Sequence, residues 1–184
     1  MIHASRLCLL LALCGAAATC GDPFEPILTP VPEPREADLV DFEEGDLVDP
    51  AAYDMYTGNA VRTDLSNGWD FVFVVDGEAG PTFVPRSAFL GGESTAGLQQ
   101  DDRAFDTIEE APEADYVTDA PVPVAAGDVL TLISRRSESV SVRCRLFGKL
   151  EVLTIEGTPA TATVRVVVNP NCERRHLVEP EEED

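Results

Sequence analysis

The chain has 184 residues, 13 of them Lys or Arg and 34 Asp or Glu, giving a formal net charge of −21 and a pI near 4.2. Nucleic-acid binding relies on cations that neutralise phosphates, so this balance excludes nucleic acid as a partner and argues against adsorption to anionic lipid. What it favours is a soluble, solvated exterior.

A single base, Arg6, leads into the apolar run 7–13, the small residues 15–19 and then Cys20. That order is an export signal, read here as a signal peptide over residues 1–19. Its apolar run is shorter than the roughly 20 residues a membrane span needs. Ending on a cysteine points to a lipoprotein lipidated on Cys20, with the membrane as partner through that lipid. A lipid-attachment site prefers a large aliphatic where Ala17 stands and Gly, Ala or Ser where Thr19 stands. Ordinary cleavage after Ala18, at the small-x-small site of Ala16 and Ala18, therefore stays open. The first route anchors the protein in a bacterial envelope; the second makes it a soluble secreted or periplasmic protein.

Without residues 1–19 the chain keeps 12 bases and 34 acids, a formal charge of −22. The charge is uneven: residues 38–119 hold 20 acids and 3 bases, whereas residues 128–178 hold 5 acids and 8 bases. Two segments of opposite tendency in one domain predict internal ion pairing, with an arginine-bearing face for an anionic partner as the alternative.

Five prolines, Pro23, Pro26, Pro30, Pro32 and Pro34, fall among the acids of residues 21–38. Proline at that density favours extended backbone without internal hydrogen bonds. Residues 20–38 thus read as a disordered tether, and residues 39–178 are enough for one domain with its own core. Tyr53–Tyr56 and Ala60–Thr63 flank Thr57-Gly58-Asn59, a hairpin signature. Trp69–Val75 is rich in aromatic and β-branched residues between two turn signals, Asn67-Gly68 and Asp76-Gly77. Phe71, Phe73 and Val75 share one face of that strand and Val72 and Val74 the other, so both faces are expected to be buried. The chain then returns through Gly77–Pro81 into Thr82–Val84. Gly91–Glu113 reads as a long loop with a short helical turn near Asp101–Ile108. Val129–Ser134 and Val140–Phe147 flank the polar turn Arg135–Ser139. No segment sustains a helical period between credible caps. Residues 179–184, five acids around Pro180, form a disordered acidic tail.

The most constraining pattern joins Leu150–Ile155 to Ala162–Val168 through Gly157-Thr158-Pro159. If the turn centres on Thr158, Leu150 faces Val166, Val152 faces Val164, and Glu151 faces Arg165 on the opposite surface. Apolar meets apolar and acid meets base, as a half-buried antiparallel pair requires. The same register opposes Cys144 to Cys172, unless a bulge at Gly148 or Pro170 shifts it by one. Cys8 and Cys14 leave with the signal and Cys20 takes the lipid, so these two remain to form a disulfide in an oxidising compartment. Such a bridge would stabilise the fold by about 3 kcal/mol on the chain-entropy model. The expected architecture is all-β: an antiparallel β-sandwich of seven to nine strands.

Chemistry-bearing residues are sparse, and no catalytic residue is assigned. His3 leaves with the signal, and His176 stands among polar residues beside Arg174 and Arg175. A Ser-His-Asp or Cys-His arrangement would have to use His176, and nothing marks its nucleophile. Gly92–Ala96 (GESTA) has the spacing of a nucleophile elbow without its strand–turn–helix context. Zinc would need a Cys/His cluster that the composition lacks. Calcium suits two groups of turn oxygens, Asp64 with Asn67 and Asp70, and Asp101 with Asp102 and Asp106. Neither has EF-hand spacing, and Asp and Asn favour turns for backbone reasons alone.

The order signal, cysteine, Pro-rich segment and β domain resembles bacterial surface lipoproteins that carry immunoglobulin-like sandwiches. Tyr53–Thr63 followed by Trp69-Asp70-Phe71, within residues 50–76, is also similar to the opening of the HmuY-like haem-binding lipoproteins. That resemblance implies an all-β domain and haem held by two axial histidines. With only His176 in the exported chain, the implied fold carries over and the ligand pair does not. The expected function is a non-catalytic envelope module that binds a protein or envelope partner or has a structural role. A small-ligand, haem-like carrier is the alternative, and a glycosidase-like hydrolase working through paired carboxylates comes third.

Overall fold

The computed structural model describes residues 28–137 and 144–179. The signal, Cys20, most of the tether, the 138–143 stretch and the tail from 180 onward lie outside the described residues. Within them the chain forms strands β1 (Arg35–Val40), β2 (Ala52–Asp54), β3 (Asn59–Val61), β4 (Phe71–Asp76) and β5 (Gly80–Pro85), then helix α1 (Arg86–Leu90) and β6 (Gly97–Asp101). A 3₁₀ turn (Phe105–Thr107) follows, and then β7 (Val122–Pro123), β8 (Val129–Ile133), β9 (Phe147–Gly157) and β10 (Ala160–Asn169). One antiparallel sheet has the order β1-β10-β9-β8-β6, the other β3-β2-β4-β5-β7. This is the all-β sandwich the patterning predicts. Ten strands stand in the described residues where seven to nine were expected; the surplus comes from pieces as short as β7.

The two sheets close on a shared core in which Phe71, Phe73, Phe83, Leu98, Leu130 and Leu150 are essentially sealed from water. Each such side chain contributes about 1.5–3 kcal/mol of transfer free energy. β4 buries both faces: Phe71 and Phe73 enter this core, while Val72 joins Trp69, Ala52 and Val84 under Phe42 and Phe89. The outer face of the first sheet is roofed in turn. Phe105, Ile108, Ala111 and Leu177 lie on Val129, Ile133, Phe147 and Val167. Lys149, the only lysine of the chain, is 3% exposed beneath that roof. Its Nζ donates to the Ile108 carbonyl at 2.9 Å and stands 4.8 Å from the centre of the Phe105 ring.

β9 and β10 adopt the expected register over Leu150↔Val166, Glu151↔Arg165 and Val152↔Val164, and the Glu151–Arg165 ion pair closes at 2.7 Å. The irregularity is not at Gly148 or Pro170. Pairs nearest the turn, from Gly157↔Ala160 to Thr154↔Thr163, run one residue off, and the extra residue Leu153 restores the register. Gly157 turns the chain with φ +95°, a conformation open to glycine. Gly148 is in register for a different reason: a Cβ there would sit 2.6 Å from the Val167 carbonyl oxygen. Beyond the last pair, Phe147↔Asn169, Cys144 and Cys172 stand at disulfide distance, their Cα atoms 5.1 Å apart.

Several boundaries differ from the sequence reading. The tether ends earlier than residue 38, because Arg35–Val40 pairs with β10, and Thr29 already exchanges hydrogen bonds with Asn171. The first hairpin is shorter, Ala52–Asp54 with Asn59–Val61. Gly91–Glu113 contains β6 as well as the short helical turn; with Leu98 its only apolar side chain, β6 gives almost no alternation to read. Gly97 is needed there, since a Cβ would meet the Tyr116 Cβ at 2.9 Å. Of the expected strand Val140–Phe147, residues 140–143 lie outside the described residues and residues 144–146 are not strand; β9 starts at Phe147 and runs on through Leu150–Ile155. Helix α1 is too short for a periodic signal.

Candidate functional site

Ionisable groups converge at one end of the sandwich, where β8 leaves its sheet. Asp54 closes β2 and heads a tight turn: its Oδ1 accepts the Tyr56 N–H at 3.0 Å and its Oδ2 the Thr57 hydroxyl at 3.1 Å. This is the local bonding that makes Asp a turn residue. Asp70, just before β4, is 1% exposed, and its Oδ2 accepts the Met55 N–H at 2.8 Å. Arg135 crosses from the other sheet to both, with Nη1 3.0 Å from Asp54 Oδ1 and 3.0 Å from Asp70 Oδ2. Its own N–H donates to Asp70 Oδ1 at 2.7 Å. Gly68 makes room for the guanidinium, since a Cβ there would lie 2.8 Å from Arg135 Nη2. The Tyr56 hydroxyl lies 2.9 Å from the Arg135 carbonyl and 2.6 Å from that of Cys144. Burial pushes the Asp70 carboxyl above the ordinary aspartate value, while the Arg135 guanidinium and the Arg135 and Met55 N–H groups pull it back. Every oxygen of both carboxylates is thereby engaged. Chemically the cluster is an inter-sheet clamp.

Beside the clamp, β1 and β10 part from the β2–β3 hairpin and leave a cleft of about 290 Å³. Met55, Leu146, Val166 and Val168 form an apolar floor, and Glu33, Arg35 and Tyr53 also line it. Tyr53 is 2% exposed, and its ring stacks on Phe71 at 5.6 Å, which fixes the phenol. Burial pushes that phenol up to about 12, Arg35 opposes the rise, and Asp54 and Asp70 add to it. A wider hollow of about 990 Å³ lies between residues 28–31 and the C-terminal segment, with Asp106, Glu109, Arg174 and His176 among its lining.

The residues singled out from the sequence are dispersed. Asp64 is exposed and bidentate to Arg62, Asn67 is exposed, and Asp70 is inside the clamp, so the first calcium trio does not converge. In the second, Asp101 pairs with Arg103 at 2.6 Å, Asp106 approaches Arg165 at 3.5 Å, and Asp102 is exposed. Among the described residues no group of three His, Cys, Asp or Glu side chains is placed to hold a metal. GESTA joins α1 to β6, where the Ser94 hydroxyl accepts the Ala96 N–H at 3.2 Å. His176 is exposed; its carbonyl accepts from the Asn169 amide at 2.7 Å. Residues 50–76, which carry the HmuY-like resemblance, supply β2, β3 and β4.

Sequence reasoning missed the clamp and the cleft. The charge asymmetry foretold the pairing in kind: Arg135 with Asp54 and Asp70, Arg165 with Asp106, and Arg175 with Glu110 all join the acidic segment to the basic one. It did not say which arginine goes inside. An Asp preceding a Thr-Gly turn and an Arg ending an apolar strand were the available signals. No protein-family model matches this chain, and no curated protein or solved structure is significantly similar to it.

Proposed function

We propose that this chain is a non-catalytic module of a bacterial envelope, tethered to a membrane by a lipid on Cys20 and acting through binding or structural support. The observation that carries the reading is the fate of its buried charges. Asp54, Asp70 and Arg135 satisfy one another and the turns around them, and Lys149 serves the Ile108 carbonyl. An acid or base that acts on a substrate needs a free lone pair or proton within hydrogen-bond reach of it. These groups have theirs committed to the fold. Two further buried charged atoms, Asp41 Oδ2 and Arg86 Nη1, have no hydrogen-bond partner, although Asp41 Oδ1 accepts the Val75 N–H and the Arg86 guanidinium lies over the Trp69 ring. What remains open to a partner is surface: sheet edges, loops and the cleft beside Tyr53.

The test is expression in a lipoprotein-processing bacterial host, followed by membrane fractionation and mass spectrometry of the N-terminal peptide. The expected result is an acylated Cys20 in the membrane fraction, with Cys20→Ser released to the soluble fraction. A mature N-terminus at Thr19, or unchanged membrane partition of Cys20→Ser, overturns the anchor. Hydrolysis of polysaccharides by the purified chain overturns the non-catalytic part.

A further inference from the structure

The cleft beside the clamp gathers polar side chains that the fold does not use over an apolar floor. Among the described residues, the side chains of Glu33 and Arg35 have no hydrogen bond or ion pair, and the Tyr53 hydroxyl has no hydrogen bond. Tyr53 is held there by its stack on Phe71, and its hydroxyl is not sealed from solvent but belongs to the open lining of the cleft. Arg35 and Tyr53 both line the cleft and so face a common space. Glu33 brings the opposite charge to the same cleft two residues earlier in the chain. Beneath them the floor is apolar: Met55, Leu146, Val166 and Val168 are each at most 9% exposed.

A ligand for this cleft has to answer three demands. A lone anion would suit Arg35 and meet Glu33 unfavourably; a lone cation would do the reverse. An uncharged apolar molecule would leave the Tyr53 hydroxyl unanswered. The volume, about 290 Å³, stands at the small end of ligand pockets. We propose that the cleft binds a small zwitterion with an apolar tail, of the class of the hydrophobic α-amino acids. Its carboxylate pairs with Arg35 and accepts from the Tyr53 hydroxyl, its ammonium pairs with Glu33, and its tail packs on Met55, Leu146, Val166 and Val168. Arg is suited to the carboxylate because its fork offers two parallel donors. This deepens the proposed function and rests on reading the chain as a binding module.

The test is isothermal titration of the purified full-length mature chain with L-leucine and L-phenylalanine. Phenylalanine amide, which lacks the carboxylate, and N-acetyl-phenylalanine, which lacks the ammonium, serve as controls. The expected result is saturable binding of both amino acids and at least tenfold weaker binding of both controls. Arg35→Ala and Glu33→Gln, both at exposed positions, should each weaken leucine at least tenfold, and Tyr53→Phe should weaken it less while keeping the Phe71 stack. Absence of binding by either amino acid overturns the proposal, as does equal affinity for the amide, or affinity unchanged in Arg35→Ala and Glu33→Gln. Such a failure leaves the membrane partition of Cys20→Ser untouched. A mass-shifted product from the added amino acid would instead defeat the non-catalytic reading itself.

Discussion

Among the described residues, half-buried Arg135 and buried Lys149 sit on opposite faces of one sheet and are handled differently. Arg135, on the face toward the other sheet, meets two carboxylates at 3.0 Å each, and both acids are further held by N–H or hydroxyl donors. Lys149, on the outer face, has a carbonyl at 2.9 Å and an aromatic ring face, with the carboxylates of Asp106 and Glu109 acting only from farther off. The contrast follows residue chemistry. Arginine keeps its charge at any ordinary pH, so burying it requires counter-charge, whereas a lysine amine can shift its pKa instead. Burial does lower the Lys149 amine below its ordinary value, with Asp106 pulling the other way.

That contrast breaks first at Arg135. Arg135→Ala should cost about 3–5 kcal/mol in chemical denaturation, because it leaves two buried carboxylates without their cation. A loss below about 1 kcal/mol would mean that water already solvates Asp54 and Asp70. Lys149→Met tests the other side. Losing the bond to Ile108 costs about 1–3 kcal/mol, and relief from desolvating an ammonium offsets it, so stability near neutral pH should stay within about 1 kcal/mol of the parent.

The pH dependence sharpens this second test. With its folded pKa below the unfolded value of about 10.4, Lys149 holds fewer protons in the native state than in the unfolded one within that window. Stability then rises with pH through the folded pKa toward the unfolded one. The parent should therefore gain on Lys149→Met as pH climbs in that range, measured by urea unfolding at several pH values. A constant difference would show that the ammonium carries no burial penalty. The smallest effect belongs to the exposed pairs. Arg145, bound to Glu173 at 2.8 Å on the surface, should lose less than about 1 kcal/mol when changed to Ala.

How legible all this was depended on how local the cause is. β4 declared itself because seven consecutive residues, Trp69–Val75, satisfy strand preference on both faces. The β9–β10 pair was legible because Glu151 and Arg165 share a register with Leu150, Val152, Val164 and Val166, and the apposition of Cys144 and Cys172 followed from it. The bulge at Leu153 was not legible, since nothing in the local residues distinguishes a two-residue loop with an insertion from a three-residue turn. β6 was hidden for another reason: its pairing with β8 depends on Leu98 alone among apolar side chains and on the room that Gly97 leaves for Tyr116.

The candidate sites divide the same way. The turn chemistry of Asp54 can be read from its neighbours, but Asp70 looks like one more turn residue until Arg135 arrives from 65 positions away. Tyr53 likewise reads as a core aromatic, and only the parting of β1–β10 from the β2–β3 hairpin gives its hydroxyl a cleft.

Residue order by itself fixed the strands with dense patterns, the antiparallel register near the C-terminus, the cysteine pairing and the attraction between an acidic segment and a basic one. Each depends on side-chain period, charge count or neighbours a few positions apart. Tertiary structure alone decided which arginine reaches between the sheets, which carboxylates receive it, and where Glu33, Arg35 and Tyr53 come to line one cleft. Those outcomes depend on distances between segments far apart in the chain, set only when the two sheets pack.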